Sequence, residues 1–285
     1  MQNEASETVK SIKKKAIRLG QTYKIIWPLI ELQSEMEKQY WNSYHCCREA
    51  IQEDVYLRFH YCNKRWCMEC NAIRCAKMIN GYMPVFKEFK KPYFITLTRP
   101  NVLSFDLEAE ITNLIKEFTL VIRYLRERKK IDLKGLRKLE VTYNWMLNSY
   151  HPHLHLIVDS PGSGRAIINE WLHRNPTATP DAQDMRKADK ASFTELFKYA
   201  AKVSVNYDMS IYAKDIIFTA LKGKRIYQPF GIVRISEDVD EIIAQAFGML
   251  EPEIYRPFRF DDDKLDWFTC KGVSLIETLS KFDTS

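Results

Sequence analysis

Residues 151–158 read His-Pro-His-Leu-His-Leu-Ile-Val, and half of the chain's 6 histidines fall inside this run. Side chains alternate across a β-strand, so His151, His153 and His155 are expected on one face and Leu154, Leu156 and Val158 on the other. Imidazole is a common metal ligand, and imidazoles spaced along one strand face aim their nitrogens at one place. The chemistry expected here is that of a metal centre drawn on a sheet.

Sulfur forms a second cluster. Of 7 cysteines, all but Cys270 lie between positions 46 and 75, which in a large cytosolic chain points to metal rather than disulfides. Cys67-Met68-Glu69-Cys70 is a two-residue knuckle, and Cys62 with either Cys46 or Cys47 completes a tetrahedral zinc set. Four protein ligands close the sphere, so the expected role of Zn²⁺ is structural. Lys64, Arg65 and Arg74 stand close by with charge suited to phosphates. A third group lies on an expected helix, where spacings of four and three put Glu195, Tyr199 and Lys202 on one face. A phenol is a poor nucleophile at neutral pH. Positive charge from Lys198 and Lys202 and an electrophile polarised by a metal would activate it, and Glu195 would take a proton from water or a hydroxyl.

The elements that hold these groups are legible in part. Tyr93–Thr98 is rich in β-branched and aromatic residues and reads as a strand stopped by Pro100. Between Ser104 and Lys130, Ile111, Leu114, Ile115, Phe118, Ile122 and Leu125 recur at helical spacing, with acids near the start and bases at the end. From Leu136 to Trp145, Leu139, Val141 and Tyr143 alternate with Lys138, Glu140 and Thr142 as in a half-buried strand, joined through residues 147–150 to the histidine strand. Ser160-Pro161-Gly162-Ser163-Gly164 reads as a turn, since it lacks the length and lysine of a phosphate loop. A short helix near 165–174 and a longer one from about Ala182 to Val203 follow. The fold class expected is α+β: a central antiparallel sheet carrying the histidines, backed by helices, with an N-terminal cysteine-rich zinc-binding element. The expected divisions are a helical segment at 1–44, the cysteine-rich element at 45–90, the sheet domain at 91–214 and a region without assignable role at 215–285.

With 46% hydrophobic residues the chain can bury a core, and it has no apolar run long enough to span a bilayer and no signal-like amino terminus. A cytoplasmic location and no membrane partner are therefore expected. The net charge of +6 hides a division: residues 1–235 hold 38 Lys/Arg against 25 Asp/Glu, and residues 236–285 hold 5 against 12. A basic body suits a polyanion such as nucleic acid.

In chain order, Phe94-Ile95-Thr96-Leu97-Thr98, then Glu140-Val141-Thr142 leading to His151-Pro152-His153-Leu154-His155, then Glu195 with Lys198-Tyr199-Ala200-Ala201-Lys202, resemble the three motifs of the HUH endonucleases. The resemblance is closest to the single-tyrosine rolling-circle replication initiators of plasmids and phages that carry a cysteine cluster upstream. It implies nicking of one strand of single-stranded origin DNA, a tyrosine joined to the 5′ phosphate, and a free 3′ hydroxyl that primes synthesis, with a host helicase and polymerase as partners. It makes His153 and His155 ligands of a catalytic Mg²⁺ or Mn²⁺, Tyr199 the nucleophile and Glu195 the residue that lets water end the cycle. The third ligand is Glu140 or His151. The family's cysteine pattern resembles Cys47, Cys62, Cys67 and Cys70, although Arg48 and Met68 stand where glycine and proline are common, and Cys46 and Cys75 are spare. Lys198, Lys202 and Arg65 would meet DNA. A relaxase or transposase of the same superfamily is the alternative within this chemistry. Large relaxases place their tyrosine ahead of the histidines, and two-tyrosine transposases need a second tyrosine where Val203 stands. The alternative outside it is a non-catalytic, zinc-dependent nucleic-acid-binding protein, which metal-dependent nicking would distinguish.

Overall fold

The computed structural model describes residues 2–53, 56–197, 209–235, 243–245 and 256–281. The chain divides into two compact units, one formed by residues 1–74 with 237–285 and the other by 75–236. Among the described residues no helix is long and apolar enough to cross a membrane.

The first unit contains α1 (Gln2–Glu31), α2 (Glu37–Tyr44), β1 (Glu49–Glu53) and β2 (Tyr56–Phe59), together with the start of α3 (Met68–Lys87). Its sheet is completed from the far end of the chain by β8 (Ile243–Gln245), β9 (Arg256–Asp261) and β10 (Asp266–Phe268), in the order β10-β9-β1-β2-β8, and α8 (Leu275–Lys281) follows. β9 lies antiparallel on β1, with Ala50 opposite Phe258. Leu19, Phe59, Phe258, Trp267 and Leu279 share one buried cluster with Cys46, Cys67 and Cys70, so the cysteines sit at the edge of an apolar core. Lys15 is buried in this unit, bonded to Glu69 at 2.8 Å, and Arg18 meets the same carboxylate at 2.6 Å. Lys15 and Arg18 are thus ion-paired to the knuckle, while the neighbouring Lys13 and Lys14 stay exposed.

The second unit is built on β3 (Tyr93–Thr98), β4 (Gly135–Asn144), β5 (Ser149–Val158), β6 (Asp184–Lys187) and β7 (Tyr227–Phe230), ordered β6-β3-β5-β4-β7 with every pairing antiparallel. Its helices are α4 (Leu107–Glu127), α5 (Pro161–Arg174), α6 (Lys190–Phe197) and α7 (Ile211–Ala220), besides the rest of α3. The expected α+β class, with an antiparallel sheet backed by helices, is what the chain adopts. β5 is the central strand. Opposite residues share a face, so the register places Thr96, His155 and Lys138 in one row and Thr98, His153 and Glu140 in the next. The opposite face carries Ile95, Leu97, Leu154, Leu156, Leu139 and Val141, all buried. That face meets α5, where Gly164 lets the helix approach Ile95.

Three local expectations are corrected. The segment after β5 is helical from Pro161, because Ser160 accepts the Ser163 amide at 3.1 Å as an N-cap and Pro161 occupies the first turn. The expected long helix from Ala182 is instead β6 followed by α6. β3 offers an open edge, Gln183 accepts the Thr98 amide at 2.9 Å, and Asp184–Lys187 then pair along that edge. Asp189 caps the following turn by accepting the Ser192 amide at 2.8 Å. Finally, β4 is not half-buried: Lys138 and Glu140 on its polar face are 0% and 2% exposed.

Gly135 begins β4 between Val158 and Phe230, and a Cβ there would collide with the Ile157 carbonyl oxygen and the Phe230 ring. Since backbone cannot yield as a flexible side chain can, Gly135→Ala is expected to cost about 2–3 kcal/mol in urea denaturation. A loss within about 0.5 kcal/mol would show that the sheet tolerates this contact.

Candidate active site

β5 presents His153 and His155, and β4 presents Glu140, so that one ligand atom from each lies within 4.8 Å of the other two. His153 Nδ1 is 2.9 Å from the His151 carbonyl oxygen. A carbonyl only accepts, so Nδ1 carries the proton and Nε2 keeps its lone pair. Thr96 Oγ1 holds His155 Nδ1 at 3.1 Å, which turns the other nitrogen of that ring inward. The two Nε2 atoms face each other at 3.1 Å, and Glu140 Oε2 stands 3.4 Å from His155 Nε2. With the proton of His155 on Nδ1, the lone pairs brought this close would repel, and a cation among them would relieve that repulsion. Two atoms held about 2.1 Å from one ion at right angles are about 3.0 Å apart, so the spacing and donor set fit a divalent metal. Holding each ring through its second nitrogen is how proteins orient ligating histidines.

The electrostatics agree. Burial alone would raise the Glu140 pKa, but the His155 hydrogen bond and the Lys138 ammonium, 2.8 Å away, hold it well below the usual carboxylate range. Burial, and then the neighbouring His155, push His153 down to about 4, so it is neutral and able to ligate at physiological pH. His151 lies outside the group of three. It stacks on His153 with ring centroids 5.0 Å apart and contributes its carbonyl to orient that ring.

Beside His155 opens a cavity of about 300 Å³ lined by Phe94, Thr96, Arg186, Asp189, Ser192 and Glu195. Arg186 lies over the Phe94 ring at 4.5 Å and is a cation at the mouth that the sequence did not single out. Glu195 is half-buried on α6 and lines this cavity. Lys198, Tyr199 and Lys202 lie outside the described residues. Lys138 was also missed. The signal for it was its parity, which places it on the same face of β4 as Glu140.

The sulfur cluster differs from expectation in one member. Cys46, Cys62, Cys67 and Cys70 converge, with Sγ separations of 3.5 Å for Cys46–Cys70, 3.6 Å for Cys46–Cys67 and 3.7 Å for Cys62–Cys70. Four sulfurs about 2.3 Å from one zinc in a tetrahedron stand about 3.8 Å apart. Cys46 therefore takes the place expected of Cys47. Cys47 sits in the left-handed region at φ 53°, its amide donates to the His60 carbonyl at 2.8 Å, and its Sγ is 3.8 Å from Cys46 Sγ but outside the group of four. The Cys62 amide donates to Cys46 Sγ at 3.3 Å and the Lys64 amide to Cys62 Sγ at 3.4 Å. Hydrogen bonds from Cys46, Cys67 and Cys70 hold the Cys62 thiol far below its ordinary pKa, while those involving Cys46 and Cys62 push Cys70 far above. One thiolate is stabilised at the expense of its neighbours, and only a cation would stabilise all four. Arg74 is buried and braces the loop by donating to Asn63 Oδ1 at 2.7 Å, instead of standing out toward phosphates, and Arg65 is half-buried.

A family model described as "Replication protein" matches residues 55–163, which span Cys62, Cys67, Cys70, Glu140 and the three histidines. The chain is 32% identical over 177 residues to "Protein rep" of Staphylococcus aureus, covering 55% of this chain and 76% of that protein. The chain belongs to the Rep family of plasmid rolling-circle replication initiators. Further Rep relatives match over less of their length. Protein rep of Streptococcus pneumoniae serotype 2 is 31% identical over 116 residues, 38% of this chain and 36% of that one, and that of Lactiplantibacillus plantarum is 32% identical over 119 residues, 39% and 37%. No solved structure gave a significant match.

Because the folded His153 pKa of about 4 lies below its free value of 6.5, the unfolded chain binds more protons between these values. Stability from this group is present above pH 6.5 and is lost as pH falls toward 4, by about 3 kcal/mol. In metal-free protein, His153→Gln is expected to flatten the fall in denaturation midpoint over that window. An unchanged slope would contradict the burial of a neutral imidazole.

Proposed function

We propose that the chain initiates rolling-circle replication by nicking and rejoining single-stranded origin DNA through a phosphotyrosine intermediate. The observation that carries this reading is the convergence of Glu140, His153 and His155, with both imidazoles oriented through their second nitrogens. A divalent ion held there would polarise the scissile phosphodiester and offset charge on the leaving oxygen. Two imidazoles with one carboxylate suit Mn²⁺ better than the harder Mg²⁺.

The remaining steps fall to the chain's own residues. Tyr199 Oη attacks phosphorus in line, an O–P bond forms to the 5′ phosphate, and the P–O3′ bond breaks. The phenolic proton ends on the 3′ oxygen, leaving the hydroxyl that primes synthesis. Glu195, which lines the cavity beside His155, would take a proton from water when the adduct is hydrolysed. Lys198, Lys202, Arg65 and Arg186 supply positive charge for the backbone, and Phe94 offers a stacking face. Cys46, Cys62, Cys67 and Cys70 hold a structural Zn²⁺. Host helicase and polymerase are the proposed protein partners, and the setting is the bacterial cytoplasm.

Two measurements test this reading. Mixed with Mn²⁺ and single-stranded DNA tiled across its replicon, the chain is expected to yield a covalent protein–DNA band on a denaturing gel, abolished by EDTA and by Tyr199→Phe. A band that survives in Tyr199→Phe removes the nucleophile assignment, and a folded, DNA-binding protein that forms none favours a non-catalytic binding module. Metal analysis is expected to find one zinc per chain, lost in Cys46→Ser and kept in Cys47→Ser. The reverse pattern would restore Cys47 to the set.

A further inference from the structure

α6 is held by more than side-chain packing. Phe193 and Phe197 stack on Phe86 and Tyr82 of α3 at 5.2 and 6.3 Å. Stacked rings hold a helix against a surface but resist rotation and sliding weakly. Directional bonds supply that resistance at the carbonyls of Glu195, Leu196 and Phe197. Lys138 Nζ donates to the Glu195 oxygen at 3.1 Å, Tyr227 Oη to the Leu196 oxygen at 3.3 Å, and Cys75 Sγ to the Phe197 oxygen at 2.7 Å. The donors come from β4, β7 and α3. Successive residues turn about 100° around a helix axis, so three donors to consecutive residues grip the helix from different sides.

Lys138 has a second bond. The same ammonium meets Glu140 at 2.8 Å, and the side chain is 0% exposed. A cation buried so completely requires fixed partners. Here they include the carboxylate of the candidate metal centre and the Glu195 carbonyl, four residues before Tyr199 in the sequence.

We propose that Lys138, Tyr227 and Cys75 form a positioning clamp that fixes residues 195–197 of α6 relative to Glu140, His153 and His155, with Lys138 coupling the helix to the metal ligand. The clamp rests on the reading of Tyr199 as nucleophile in this respect only: it sets where the chain enters that segment and how Glu195 meets the cavity. None of the three is a catalytic residue. Each acts through the backbone of α6, and displacement of a reacting group by about 1 Å costs on the order of a hundredfold in rate.

Tyr227→Phe removes one hydroxyl, Cys75→Ala removes one donor, and Cys75→Ser restores it. Three readouts separate the possibilities: Mn²⁺ affinity by calorimetry, hydrogen exchange across residues 190–197, and the single-turnover rate of covalent DNA capture at saturating Mn²⁺. Tyr227→Phe and Cys75→Ala are expected to bind Mn²⁺ as the unmodified chain does, to exchange about tenfold faster in α6, and to capture DNA at least about tenfold more slowly. Cys75→Ser is expected to recover both properties. Lys138→Met is expected to lose Mn²⁺ affinity as well, which marks it as the coupling residue. Unchanged exchange in Tyr227→Phe and Cys75→Ala would overturn the clamp, and faster exchange with full-rate capture would overturn its positioning role. Faster exchange in a chain whose unmodified form never captures DNA would support the clamp and remove the tyrosine chemistry.

Discussion

The register of β5 between β3 and β4 is the constraint on which the candidate site depends. It sets His155 between Thr96 and Lys138, and His153 between Thr98 and Glu140. A slip of one residue would turn every imidazole to the apolar face and Leu154 and Leu156 to the polar one, so the buried apolar face itself enforces the pairing. Gly135 at one end of the register and the left-handed Asn148 in the connection between β4 and β5 help to fix it. The geometry of the candidate metal centre is thus specified by core packing on the opposite side of the same strands.

Each unit buries a polar cluster with the donor set of a cation site, which apolar packing cannot satisfy. In the second unit it is the Lys138–Glu140 pair beneath two imidazoles, and in the first it is four crowded sulfurs beside Phe59 and Trp267. Such groups are costly to bury unless charge is matched locally. Both have the donor types and spacings of a cation site, but their chemistry differs. Four thiol ligands leave no open position and suit a structural ion. Two imidazoles and one carboxylate leave positions for substrate oxygen. The difference in donor set separates the roles proposed for the two centres.

Features with a local physical cause were legible in the sequence. Alternation over residues 151–158 showed the histidine face, periodicity over residues 107–127 showed α4, and parity placed Glu140 on the ligand side. What was not legible depended on partners distant in the chain or on a choice between adjacent residues. β6 is a strand because β3 offers an edge, and Asp184-Met185-Arg186-Lys187 carries little propensity of its own. β9 joins β1 across most of the chain, which no local pattern shows. Cys46, rather than the adjacent Cys47, converges with Cys62, Cys67 and Cys70, and spacing alone cannot tell two neighbouring cysteines apart. The burial of Lys138 escaped notice because alternation with leucines looks the same whether the polar face meets water or another helix.

The most direct test of the central claim is pulsed electron paramagnetic resonance of Mn²⁺ added to the chain. The account expects one tightly bound ion with couplings to two imidazole nitrogens, falling to one in His153→Gln. A bound ion without nitrogen coupling, or couplings that His153→Gln leaves intact, would contradict the assignment of this sheet as the metal centre.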